Sequence, residues 1–220
     1  MDQAALGVSR EREFWTPPPD WCGEIAFVLA SGPSMSEVIA AKVRPHRTIV
    51  VNSTVLIAPW SDIWFFTDTG VYQRHKDMVR RFAGRVVSMS KRAKREQPDI
   101  VSRITGQWMD DFPGEGSQAV RQGRSSGQTA ISIAVAHRPL IVGLLGFDMR
   151  LVDGREHHHG EYKGQLRDVA LYEREFVPAL KGWCDTARAV GVEIINCTPG
   201  SAVTEFPFAD LDEVLSCARS

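Results

Sequence analysis

The sequence predicts an α/β fold, a doubly wound and mostly parallel sheet with helices on both faces. Three observations carry that expectation. Short apolar, β-branched runs recur at 26–30, 47–51 and 139–145, and each reads as a buried strand. Segments with helical spacing separate them, as in successive strand–helix–strand units. Polar and turn-forming residues cluster just after strand candidates: Gly32-Pro33-Ser34, Asn52-Ser53 and, following the run 62–67, Asp68-Thr69.

The bulk numbers narrow the class. At 220 residues and 43% hydrophobic, the chain is long enough for one domain of α/β size. A formal charge of -1 and a pI near 6.6 give no global case for nucleic acid or a membrane surface. Cys22, Cys184, Cys197 and Cys217 are far apart and form no C-x-x-C, which fits reduced thiols in a cytoplasmic protein. No segment approaches the ~18 uninterrupted apolar residues of a membrane span, and no basic flank followed by an apolar core opens the chain.

Taken in order, residues 1–23 are predicted to form an extended arm, because Pro17-Pro18-Pro19 cannot pair in a sheet. Trp15 and Trp21 flank the prolines and are expected to pack on the body, with a homo-oligomer contact as the alternative. Residues 24–220 form the single domain. Ala26 to Ala30 is its first strand, and Ser34-x-x-Glu37 is a capping box opening a helix to Val43. Arg47–Val51, Asp62–Thr67 and Arg85–Met89 are further strands, with one helix over Gly70–Phe82. Segment 74–95 holds nine Lys or Arg against one acid, Asp77. It is either a solvated helix face or a basic rim for an anionic or polynucleotide acceptor. Residues 97–123 are irregular, with Trp108, Asp110 and Asp111, and read as a loop or lid insertion. Ser125 to Thr129 opens a small-residue helix running to His137. Pro139–Leu145 is the most strand-like run and should be central. A long amphipathic helix is expected over Gln165–Ala189, closed by Gly191, before a last strand Val192–Asn196 and a short terminal helix from Asp210.

The chemistry follows from where the polar residues fall. Doubly wound sheets bind ligands beyond the carboxyl ends of their strands. The corner at Gly32, Pro33 and Ser34 joins strand to helix, and its backbone donors and helix dipole suit a phosphate or carboxylate. It carries neither G-x-G-x-x-G nor G-x-x-x-x-G-K-[ST]. Asn52, Ser53 and Asp68 extend the expected ligand crevice. Asp148 closes the central strand, where a carboxylate binds a metal, a ribose or a substrate hydroxyl. His157, His158 and His159 could act as general base or metal ligands, although consecutive residues cannot all face one ion. Asp148 with one of them would suit deprotonation of an acceptor hydroxyl, or a divalent ion on a diphosphate. No G-x-S-x-G nucleophile motif is present.

The ordered series Ala30-Ser31-Gly32-Pro33-Ser34, Val51-Asn52-Ser53, Ser126-Gly127, Gly146-Phe147-Asp148, the histidine loop and Asn196-Cys197-Thr198-Pro199-Gly200-Ser201 resembles a known domain. That domain is shared by archaeal 6-hydroxymethylpterin diphosphokinases with the motility accessory (flagellin glycosylation) proteins, and by bacterial sialyltransferases of the Campylobacter lipooligosaccharide type. The likeness covers about residues 24–208 and looks closest to short stand-alone members from phages and prophages. It implies a Rossmann-like, nucleotide-binding fold. By that resemblance Gly32, Pro33, Ser34, Asn52, Ser126 and Gly127 would hold a cytidine-monophosphate sugar, and one of His157, His158 and His159 would be the base. Of the tyrosines that the sialyltransferases use near the leaving phosphate, only Tyr162 has a neighbouring counterpart.

The expected activity is therefore a sugar-nucleotide-dependent glycosyl transfer from a CMP- or UDP-type donor. Donor phosphates would lie over Gly32 to Ser34, Asn52 and Asp68 would contact the nucleoside, and the 97–123 loop would close over the site. The helix N-terminus and the Ser126-Gly127 backbone would stabilise the leaving phosphate. Loss of His158 should abolish transfer while donor binding persists. Two alternatives stand beside this: an ATP- and Mg²⁺-dependent diphosphokinase using Asp148 and Asp68, and a non-enzymatic phage nucleotide- or nucleic-acid-binding protein using the 74–95 face.

Overall fold

The computed structural model describes residues 14–161 and 169–217. The chain lays down β1 (Ile25–Leu29), β2 (Arg47–Val51), β3 (Ile63–Phe66), β4 (Arg85–Ser88) and β5 (Val101–Arg103). A separate two-stranded parallel pair follows, β6 (Thr105–Gln107) with β7 (Ala119–Arg121). The chain then returns as β8 (Ile141–Leu145) and β9 (Glu193–Asn196). The main sheet has seven strands in the order β5-β4-β3-β2-β1-β8-β9, every neighbouring pair parallel. The chain thus steps outward from β1 to β5, then comes back to the other side of β1. This is an α/β, Rossmann-like architecture, and strand order reverses between β1 and β8.

Alternation along β1 shows why both faces are covered. Ala26, Val28 and Ala30 enter one apolar core, whereas Ile25, Phe27 and Leu29 enter the other. Helices α1 (Glu37–Lys42), α2 (Thr69–Arg74), α3 (Lys76–Arg81) and α4 (Lys91–Glu96) pack on the Phe27 side. Helices α5 (Ser126–Ala136) and α6 (Trp183–Ala189) cover the Val28 side, and α7 (Leu211–Cys217) returns to the first. Helix α5 is buried along most of its length and lies across β1, β2 and β3. Small residues such as Gly127, Ala130 and Ala134 allow that close approach. Gly143 of β8 is needed for a similar reason, since a Cβ there would lie 2.5 Å from the Phe27 ring.

Several elements differ from the sequence expectation. Helix α1 is capped by Ser36, whose side chain accepts from Ile39 N–H, and not by Ser34. The helix expected over 70–82 is broken at His75 into α2 and α3, and α4 is an additional short helix capped by Ser90. Residues 97–123 are more ordered than a lid: β5 completes the main sheet and β6 and β7 pair beside it. The long helix expected over 165–189 starts outside the described residues, and its remainder is not continuous. A π turn at Tyr172–Phe176 and a 3₁₀ turn at Pro178–Leu180 precede α6, with left-handed Gly182 between. Pro178 has no N–H to donate and its ring crowds the carbonyl four residues back, so the helix widens ahead of it.

The arm, over residues 14–23, packs on the body. Trp15 N–H donates to the Arg103 carbonyl and Trp21 N–H to that of His137. The Trp21 ring stacks on His137 at 4.0 Å, and Asp20 hydrogen-bonds His137 Nδ1 at 2.6 Å. Among the described residues, no helix is long and apolar enough to cross a membrane, and Cys22, Cys184 and Cys197 are free thiols.

Candidate functional site

At the β1/β8 switch point the two outgoing loops are locked together. Gly32 N–H donates to the Gly146 carbonyl at 2.9 Å, and Ser34 donates to Asp148 from its amide at 3.2 Å and its hydroxyl at 2.8 Å. Gly32 is obligatory because a Cβ would lie 2.0 Å from Asp148 Oδ2 and 2.3 Å from the Gly146 oxygen. Asp148 is 1% exposed, and burial pushes its carboxyl above the ordinary value despite the Ser34 hydrogen bonds. Thr198 and Ser201 brace the same loop from the β9 side, through Phe147 N–H and the Phe147 carbonyl. Gly32, Ser34 and Asp148 therefore form an internal clamp. Its amide donors are taken by protein acceptors, which corrects the expectation that donor phosphates rest on this turn.

Ser34 itself borders a hollow of about 520 Å³ with Met35 and Pro199, and the strand ends on the Gly32 side border another space. A crevice of about 430 Å³ runs beyond the carboxyl ends of β1, β2 and β3, under the N-terminus of α5. It brings together Gly32, Asn52, Asp68, Ser126, Gly127 and His157 of the predicted set. Pro33, Ser34, Ser53, Asp148, His158 and His159 do not line it.

Each wall has its own chemistry. Asn52 stands in the left-handed region at φ 51°, held there by Trp64 Nε1, which donates to its carbonyl at 2.9 Å. Its Oδ1 is buried without a hydrogen-bond partner among the described residues. Asp68 occupies the cap position of α2 yet makes no capping bond, so its carboxylate is available at the crevice. Ser125 caps α5 by accepting from Gln128 N–H, which leaves the Ser126 and Gly127 amides without intrahelical acceptors. Arg124 adds a cation beside them. Helix α5 is long enough for its dipole to favour an anion there. Met149, also left-handed at φ 49°, lines the crevice as well. Non-glycine residues in that conformation cluster at ligand sites.

The third wall is the histidine loop. Glu156, 9% exposed, accepts from the Tyr172 hydroxyl at 2.9 Å and faces His157 Nε2 at 3.8 Å. The His157 ring stacks on His159 at 5.1 Å. His158 is an anchor: its amide donates to the Ser31 carbonyl at 3.1 Å, and its Nε2 hydrogen-bonds Thr54 at 3.2 Å. Burial holds both His158 and His159 down to about 4, so both are neutral near pH 7 and weak bases. Ser53 is fully buried beneath the loop, bonded to His75 Nε2 at 3.0 Å and to the Glu161 carboxylate. Burial raises the Glu161 carboxyl, but the Ser53 hydrogen bond with His75 and His159 outweighs it, leaving the group below its ordinary value. Ser53 and His158 thus hold the loop, and His157 is the histidine that reaches the crevice.

Sequence reasoning missed Arg124, Glu156, Tyr172 and Phe176, all of which line the crevice. Pro178 inside a helical pattern was the available signal for the widened turn that brings Tyr172 and Phe176 there. Among the described residues no three His, Cys, Asp or Glu side chains stand together as a metal site. With its carboxylate taken by Ser34, Asp148 does not fit the role of holding an ion on a diphosphate. Tyr162 lies outside the described residues. Comparison with protein-family models, with curated proteins and with solved structures found no match. Fold and site together define the chain as a Rossmann-like α/β protein with a polar crevice at its topological switch.

Proposed function

We propose that the protein is a sugar-nucleotide-dependent glycosyltransferase whose donor lies in the 430 Å³ crevice. The observation that carries this reading is the convergence there of an anion-favouring helix end, an Asn52 Oδ1 unpartnered among the described residues and a carboxylate-paired histidine. Asn52 and Asp68 contact the nucleoside. The leaving phosphate meets the Ser126 and Gly127 amides and Arg124. His157 accepts the acceptor's hydroxyl proton as that oxygen bonds to the anomeric carbon and the carbon–phosphate-oxygen bond breaks. Glu156 orients the ring and stabilises the imidazolium, and the departing nucleotide carries its charge into the α5 N-terminus.

The test is nucleotide release from CMP- and UDP-sugars by the wild type and His157→Gln. The variant should bind nucleotide normally and turn over about 10²–10⁴-fold more slowly, the usual worth of a general base. Undiminished release by the variant would remove His157 from the mechanism. Binding and turnover of ATP with Mg²⁺, in place of a sugar nucleotide, would replace the reading with the phosphotransferase.

A further inference from the structure

Behind the α5 end of the crevice lies a second hollow of about 380 Å³, lined by Trp108, Arg121, Arg124, Arg174, Glu175 and Ala179 among others. Arg121 is its unusual member. Only 7% of it is exposed, and its guanidinium carbon sits 4.6 Å from the Trp183 ring centroid and 5.5 Å from that of Phe112. Nη1 donates to the Thr186 hydroxyl at 2.9 Å. Among the described residues no carboxylate stands within ion-pair distance of it; Asp110, Asp111 and Glu205 act on it only from farther away. Desolvation lowers its pKa accordingly, although a guanidinium keeps its proton. Burying a cation with one neutral hydrogen bond and two aromatic faces is costly unless an anion completes the set.

Arg124 connects the two spaces, since it lines both hollow and crevice. Its guanidinium carbon lies 4.8 Å from the ring centroid of Trp108, a side chain 61% exposed at the hollow. The wall therefore sets the Arg121 and Arg124 guanidinium groups beside an exposed aromatic face, with Glu175 as its one carboxylate among the residues named. Planar forks of this kind recognise carboxylate or phosphate.

We infer that this hollow is an oxyanion subsite, receiving a carboxylate or phosphate group of the molecule that enters the crevice from the Trp108 side. Resting on the transferase reading, that molecule is the acceptor, and the acceptor is acidic. Arg121 takes the oxyanion, Trp108 covers the adjoining apolar or ring portion, and Arg124 separates the acceptor's charge from the donor's phosphate. The arm of the site that binds the acceptor is thus formed by the β7 end and the turn before α6.

Intrinsic tryptophan fluorescence reads the site directly, because Trp108 and Trp183 both border it. Inorganic phosphate and acetate, titrated at constant ionic strength into the full-length protein, should each be tested against the wild type, Arg121→Gln and Ala179→Glu. Ala179 stands on a surface turn, so its variant introduces a repelling carboxylate without disturbing a buried cation. Saturable binding by the wild type, weakened about tenfold or more in both variants, is the expected result. Response to phosphate alone or acetate alone would name the acid group. Equal affinity in wild type and Ala179→Glu, or no saturable response to either probe, would overturn the inference. CMP and UDP binding, measured on the same variants, should be unchanged. Nucleotide binding lost everywhere with phosphate binding intact would instead count against the crevice reading.

Discussion

Gly32 has no space for a side chain: a Cβ there would meet Asp148 and the Gly146 carbonyl, and the clamp they form fixes the spacing of the β1 and β8 loops. Gly32→Ala should therefore destabilise the fold itself, because one obstacle is backbone and cannot rotate away. Overpacking of this kind costs about 3 kcal/mol, or about 6–12 °C in a chain this size. Thermal unfolding would show it, and an unchanged midpoint would contradict the clamp. Ser34→Ala, which removes one hydrogen bond and leaves the amide contact, should cost only about 1 kcal/mol.

At the scale of the element, the histidine loop couples the site to pH. His158 and His159 are held at about 4 in the fold against an ordinary 6.5. The folded state therefore keeps them neutral where the unfolded chain already binds protons. Stability is fully present above about pH 6.5 and is lost as pH falls toward 4. His137, lowered by burial, and Glu161, held below its ordinary value, act in the same direction; Asp148, raised by burial, opposes them at the acid end. The unfolding midpoint should drop between pH 6.5 and 4, and His158→Gln should flatten that slope while keeping a partner for Thr54. An equally steep slope in the variant would show that the titration lies elsewhere.

Elements also differ in how far they could be read in advance. β1, β2 and β8 were legible because a strand buried on both faces needs a continuous apolar run, and their ends followed from where polarity returned. Helix α5 was legible from its small residues and Ser125. The 165–189 stretch was not, because its apolar spacing continues through Pro178 and hides the break that turns Tyr172 and Phe176 to the crevice. Helix α4 lay hidden in a basic run. Lys76 and Arg92 of that run pair with Glu96 and Arg74 approaches Glu161, so part of its charge is balanced internally.

For the molecule as a whole, topology decides which residues can meet. Stepping outward from β1 and returning beside it leaves one gap in the row of crossovers, and the strand ends around that gap supply the crevice. Among three candidate histidines nothing in the sequence singled out His157; Asn52, Asp68 and Ser126 were foreseeable because each follows or opens an element bordering it. Arg124, Glu156 and Tyr172 were not, since loop and turn geometry, which no periodicity encodes, carries them in. The same topology separates Asp148 from this space, on the clamp side of the β8 loop.

The measurement that bears most directly on the crevice is calorimetric titration of CMP and UDP into the wild type, Ser34→Ala and Asn52→Gly. Glycine at 52 retains the left-handed backbone while removing the buried carbonyl side chain. Binding by the wild type and Ser34→Ala, weakened about tenfold in Asn52→Gly, is the predicted result. Binding lost in Ser34→Ala and kept in Asn52→Gly would return the ligand to the Gly-Pro-Ser turn and contradict the account.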